Sequence, residues 1–175
     1  MKLLDLNNIK DWLRNKDVLD LNGKLVLGSL KEVAHYAVPP DSGNKTVLAK
    51  VLASFFENDN EALLWIDEFG IWPSSENWTL FLGFRKSIGE TRPLHEIPGH
   101  LFAKEDIETV AALLSLILYF SWGAVLIPKS TDYLIRISHD EIVSFFTKQN
   151  RELKLDLSAL EEIIKATQRR KKGDS

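Results

Sequence analysis

The chain contains no cysteine. That removes disulfides, thiolate nucleophiles and thiolate metal sites together, and it fits a protein with no need of an oxidising compartment. Net charge is also scarce, −3 at neutral pH, so no overall field draws the chain to phosphate backbones and nucleic acid is not an expected partner. The one basic run, Arg169, Arg170, Lys171 and Lys172, follows an apparent helix, where cations offset the partial negative charge of the helix end. Residues 168–175 are therefore expected to form a frayed basic tail. The opening MKLLDLNNIKDW is interrupted by Asp5, Asn7 and Asn8 and lacks the apolar stretch of a signal peptide, which makes the cytoplasm the expected location.

Complete catalytic signatures are missing as well. PPDSGNKT followed by LLWIDE has the outline of a nucleotide-binding pair, but a phosphate cradle needs a glycine, four residues, then a glycine directly before lysine and Ser/Thr. Here Val38 takes the first position and Asn44 separates Gly43 from Lys45; Lys45 and Thr46, near a helix start, keep only a general capacity for anions. LHEIPGH supplies His95, Glu96 and His100, residue types that bind zinc or move protons. The zinc-protease pattern places its histidines four apart on one helical face, whereas these are five apart with Pro98 and Gly99 between them. A metal would need further ligands from His139, Asp140, Asp67 or Glu68, and no cofactor is expected. No serine lies in a G-x-S-x-G elbow; Ser74, Ser75 and Ser138 read as helix caps.

What is present is the balance of a globular protein: 45% apolar and 27% charged residues over 175 positions, enough to bury a core without staples and to fill one domain spanning residues 1–175. No repeat, heptad or linker interrupts it. The longest apolar run, Val110 to Ile127, approaches the roughly 18 to 20 residues of a bilayer span. Trp122 and Gly123 divide it, Gly123 suits a helix C-terminus, and Ala124 to Ile127 before Pro128 has the length of a buried strand. A buried helix followed by a core strand is expected, and no membrane contact.

Periodicity predicts helices over Asn8–Asn15, Asn44–Phe56, Glu76–Lys86 and Glu105–Tyr119. Strands are predicted over Lys24–Gly28, Val33–Val38 and Leu63–Ile66, and a hairpin joins Ala124–Ile127 to Tyr133–Ile137 across PKST. The pairs Ser138/Glu141 and Ser158/Glu161 have capping-box spacing and predict two more helices. The fold class is α+β (mixed α/β): a single mixed sheet of about five strands flanked by about six helices.

Function rests on two neighbouring stretches. Ile88 to Ala103 offers about sixteen residues without helix or strand periodicity, and long ordered loops are usually functional or mobile. It carries Glu90, Arg92, His95, Glu96 and His100, restrained by Pro93 and Pro98. FGIWPSSENW adds Phe69, Trp72 and Trp78, residue types preferred as interface anchors. The expected function is a small protein-binding module, of inhibitor, immunity or regulatory type, contacting a protein partner through Trp72, Trp78, Arg85, Arg92, His95 and Glu96. The alternative is a hydrolase or lyase with His95 or His100 as acid/base and Glu96 or Asp67 orienting it. Plainer readings stand beside both: Leu94, Ile97, Leu101 and Phe102 pin the loop across the core, the tryptophans pack, and Asp67 and Glu68 end their strand in water.

Overall fold

The computed structural model describes residues 1–14, 16, 18, 25–26, 30–57, 59–69, 78–130, 133–148, 158 and 160–162. Strand β1 (Lys2–Leu4) leads into helix α1 (Leu6–Leu13), then β2 (Leu30–Ala37), α2 (Ser42–Ser54), β3 (Glu61–Glu68) and α3 (Trp78–Ser87). A short strand β4 (Gly99–Ala103) and a 3-10 turn (Lys104–Asp106) precede α4 (Ile107–Tyr119), β5 (Gly123–Pro128), β6 (Tyr133–Ser138) and β7 (Ile142–Lys148). The strands form one seven-stranded sheet in the order β1-β4-β3-β5-β6-β7-β2. Every neighbouring pair is antiparallel, so the expected single layer of α+β sheet is present but is not mixed, and it has more strands than expected.

The apolar run of β3 follows from where that strand lies. Ala62, Leu64 and Ile66 enter a core shared with α2, α4 and Phe81 of α3, while Leu63 and Trp65 enter a second core with Ile9 and Leu13 of α1. A strand covered on both faces has no polar position to spare, which is why Leu63 to Ile66 reads as one continuous stretch. Helix α1 starts at Asp5, whose carboxylate accepts the Asn8 N–H at 2.8 Å, a normal N-cap that satisfies one orphan donor. Its close approach to the sheet depends on Gly99: a Cβ there would fall 2.7 Å from Ile9 Cδ1 and 3.1 Å from Leu4 Cβ.

The Val110 to Ile127 run divides into α4 and β5, and among the described residues no helix is long and apolar enough to cross a membrane. The break falls two residues earlier than Gly123. Ser121 takes the left-handed conformation at φ 50°, and the Trp122 N–H donates back to the Ile117 carbonyl at 3.1 Å, closing the helix as a Schellman turn does.

Two further expectations are corrected. Residues 99–103 are not loop: they form β4, paired on both sides by β1 and β3. Ser138 and Glu141 open no helix, because the Glu141 N–H donates to the Ser138 carbonyl at 3.1 Å and the chain reverses into β7. The residues that follow, IVSFFTK, alternate between inward and outward positions, and that period of two outweighs a four-residue cap pattern. The helix near Ser158 is present at 158 and 160–162. Ser74, Ser75, most of Lys24–Gly28 and the basic tail lie outside the described residues.

Candidate functional site

The register gathers one set of chain reversals at one end of the sheet. Gly99 faces Leu4 and Trp65, Glu68 faces Gly123, Ala124 faces Ile137, and Ser138 faces Ile142, which also faces Ala37. Asp67 and Glu68, the 88–98 loop and the 139–141 turn therefore share that end.

Its charged centre is Arg136. This residue stands opposite Val125 on β6, on the face that α1 covers elsewhere. One guanidinium nitrogen, Nη1, pairs with Asp67 Oδ2, and Nη2 reaches Glu68 Oε1 at 2.9 Å. Two adjacent residues of one strand can point to the same arginine because β3 bulges between Ile66 and Glu68, and bulges re-aim side chains in this way. Glu68 lies flat over Gly123, where a Cβ would stand 2.4 Å from Glu68 Oε2. Its second oxygen meets His139 Nδ1 at 3.0 Å, and His139 Nε2 lies 3.5 Å from Asp140 Oδ1.

Burial and pairing act differently on the members of this cluster. Asp67 is pushed up from the ordinary carboxyl range chiefly by burial, against the pull of Arg136, and its Oδ1 is buried without a partner among the described residues. His139 is pushed up because its hydrogen bond to Glu68 favours the imidazolium. The turn that carries His139 is held from below. Lys45 of α2 is buried and donates to the Leu118 carbonyl at 3.1 Å and to Glu141 Oε1 at 3.1 Å. The Val38 N–H donates to the Glu141 carbonyl at 2.7 Å, which supports Glu141 in a left-handed conformation at φ 60°.

These contacts also dispose of the nucleotide-like outline. Lys45 is spent inside the fold, the Thr46 hydroxyl donates to the Ser42 carbonyl at 3.1 Å, and the Asp41 carboxylate caps α2 by accepting the Asn44 N–H at 2.9 Å.

The residues singled out from LHEIPGH separate. His95 and Glu96 lie together at 3.8 Å with side chains 68% and 54% exposed. His100 is fully buried on β4, opposite Leu64 and stacked on Phe102 with ring centroids 6.4 Å apart. Leu64 and Phe102 belong to the helix-covered face, whereas Asp67 reaches Arg136 on the other, so the sheet itself stands between His100 and Asp67. Arg92 is half-exposed and grips Glu90 with both Nε, at 2.9 Å, and Nη2, at 2.6 Å. Arg85, expected to reach solvent or ligand, is instead wholly buried, with Nη2 donating to the Ile97 carbonyl at 3.0 Å. Trp78 opens α3, and Trp72 lies outside the described residues.

The structure thus joins Asp67, offered by the sequence as an orienting carboxylate or further metal ligand, with Glu68, His139 and Asp140, offered as further metal ligands, around an arginine that it had not offered at all. Among the described residues no three His, Asp or Glu side chains are arranged to hold a metal ion. No family model, curated protein or solved structure matches the chain.

Proposed function

We propose that this chain is a protein-binding module of inhibitor, immunity or regulatory type, and that it receives a partner bearing basic side chains at the Asp67–Glu68–Arg136–His139 end of the sheet. The observation that carries this reading is the Arg136 fork, which holds two carboxylates of one strand in fixed positions, Glu68 the more exposed of the two at 35%. Carboxylates already immobilised lose little rotamer freedom when a partner arrives, so their binding energy is not consumed in ordering them. Glu32, on the same face opposite Phe146 and beside His35, and Asp140, in the turn beside His139, add carboxylates to this region, and complementary charge speeds encounter with a basic surface. Ile142, 40% exposed beside Ser138, supplies an apolar contact. The exposed tip of the 88–98 loop, with Arg92, His95 and Glu96, extends the surface.

One observation favours a second reading. His139, with its pKa raised by Glu68, is the better acid/base candidate for the hydrolase or lyase alternative than His95 or His100.

The two readings part in the native mass of the protein purified from its own host, measured for wild type, Glu68→Lys and Asp140→Lys. Asp140 is 70% exposed in its side chain, so that variant leaves the fold undisturbed. A stoichiometric protein adduct on the wild type that weakens in both variants is expected. An adduct unaffected by Asp140→Lys and Glu68→Lys, or a mass carrying only a metal or small molecule, would overturn the binding surface, and the second of these would promote the enzyme.

A further inference from the structure

We propose that Arg85 and His100 form an internal site for a small monovalent anion of halide size, closed over by the 88–98 loop. This site lies on the opposite face of the sheet from the proposed contact surface and does not depend on it.

Arg85 has no solvent exposure, and of its donors only Nη2 has a partner, the Ile97 carbonyl; Nε and Nη1 are buried and unpartnered among the described residues. His100, also without exposure, leaves both ring nitrogens in the same condition. The two side chains flank one stretch of backbone: Arg85 bonds to Ile97, and the Leu64 and Pro98 backbone lies beside the His100 ring without completing a well-formed hydrogen bond to it. Burying polar hydrogens without acceptors is costly, and burying an unpaired cation more so.

The nearest carboxylate does not resolve this. Glu90 is covered by its neighbours, and its oxygens take the Arg92 backbone N–H, Nε and Nη2. Glu90 is engaged by Arg92, on which Glu96 and Asp5 also act, so Arg85 itself has no hydrogen-bonded counter-ion among the described residues. His100 adds no charge, since burial and the Arg85 charge push it down to about 3. As a neutral ring it has one N–H to give. Arginine donors with a neutral imidazole N–H suit a spherical anion, which accepts from several directions and supplies the missing charge; an ordered water would satisfy donors and leave the charge. The loop segment that Arg85 bonds is itself buried at Leu94, Ile97 and Pro98, and the loop is fastened at Glu90 and Arg92.

Bromide is the probe. Crystals of the full chain grown in sodium bromide are expected to show an anomalous scatterer within hydrogen-bonding reach of Arg85 Nε or Nη1. In solution, at constant ionic strength, exchanging gluconate for bromide is expected to raise the melting temperature saturably in wild type and not in Arg85→Met. Should Arg85→Met fail to fold, His100→Phe serves in its place, with a smaller rise expected. A water or no scatterer beside Arg85 would overturn the site. So would melting curves that coincide in the two salts, which would make any peak an adventitious ion only.

Discussion

Replacing Arg136 with methionine tests whether the cluster is held by charge. The substitution keeps an apolar stem and removes the guanidinium that Asp67 and Glu68 share. Stripping one partner from a buried ion pair costs about 3–5 kcal/mol. Asp67 and Arg136 are 20% and 18% exposed, and Glu68 keeps His139 as a partner, so about 2–3 kcal/mol at neutral pH is expected after discounting for solvent screening. The loss depends on pH in a defined sense. Asp67 already sits above the ordinary carboxyl range because of burial, and without Arg136 it rises further. A carboxyl whose folded pKa exceeds its unfolded value destabilises nothing while both states are protonated, and its penalty grows as pH rises from the unfolded value through the folded one. The difference between wild type and Arg136→Met should therefore be largest near pH 7 and shrink as pH falls toward about 4. Urea unfolding followed by circular dichroism across that range measures it, and Asp67→Asn in the Arg136→Met background should recover most of the loss at pH 7. A difference that stays constant with pH would mean that lost packing, and not a stranded carboxylate, is the cost.

Three further outcomes are expected. The His139 ring should titrate above the ordinary histidine value and return toward it in Glu68→Gln, read by NMR, since the hydrogen bond to Glu68 is the main cause of the rise; the stability this pair adds is complete below the unfolded value and fades as pH climbs through the folded one. His100, held at about 3, should show no titration between about pH 5 and 8, the range in which an unperturbed histidine changes charge; a midpoint near the ordinary value would mean the ring is solvated. Gly99→Ala should cost about 1–3 kcal/mol in chemical denaturation, because its methyl group meets Ile9 at 2.7 Å and forces α1 off the sheet.

How far the sequence reaches is set by the range of the interactions. Helices α2 and α4 were legible because each repeats its own period over several turns, and β3 and β5 were legible because burial on both faces leaves a continuous apolar run. Strand β1 has three residues, too few for any period. Strand β4 was hidden because it begins with Gly99 and His100, residues that only make sense once α1 presses on one and Arg85 neighbours the other. Strand β7 was misread as helix from a short cap pattern that a hairpin turn also satisfies. In the candidate site, Asp67 and Glu68 drew notice as the polar end of a buried strand, but their partner Arg136 lies 69 positions from Asp67. The available signal was Arg136 itself, one charge within the alternating YLIRIS, where a charge signals either an edge or a buried partner. Neither the antiparallel direction of the sheet nor the separation of His100 from Asp67 has a local signature.

The most direct test of the proposed contact surface is the affinity of the chain for whatever protein is recovered as its stoichiometric adduct, measured by titration calorimetry in low and high salt with wild type and Glu68→Gln. The preformed acidic face predicts that wild-type affinity falls roughly tenfold or more as salt screens the interaction, and that Glu68→Gln weakens binding by about 2 kcal/mol at low salt. Affinity that is indifferent both to salt and to Glu68 would place the contact elsewhere on the molecule.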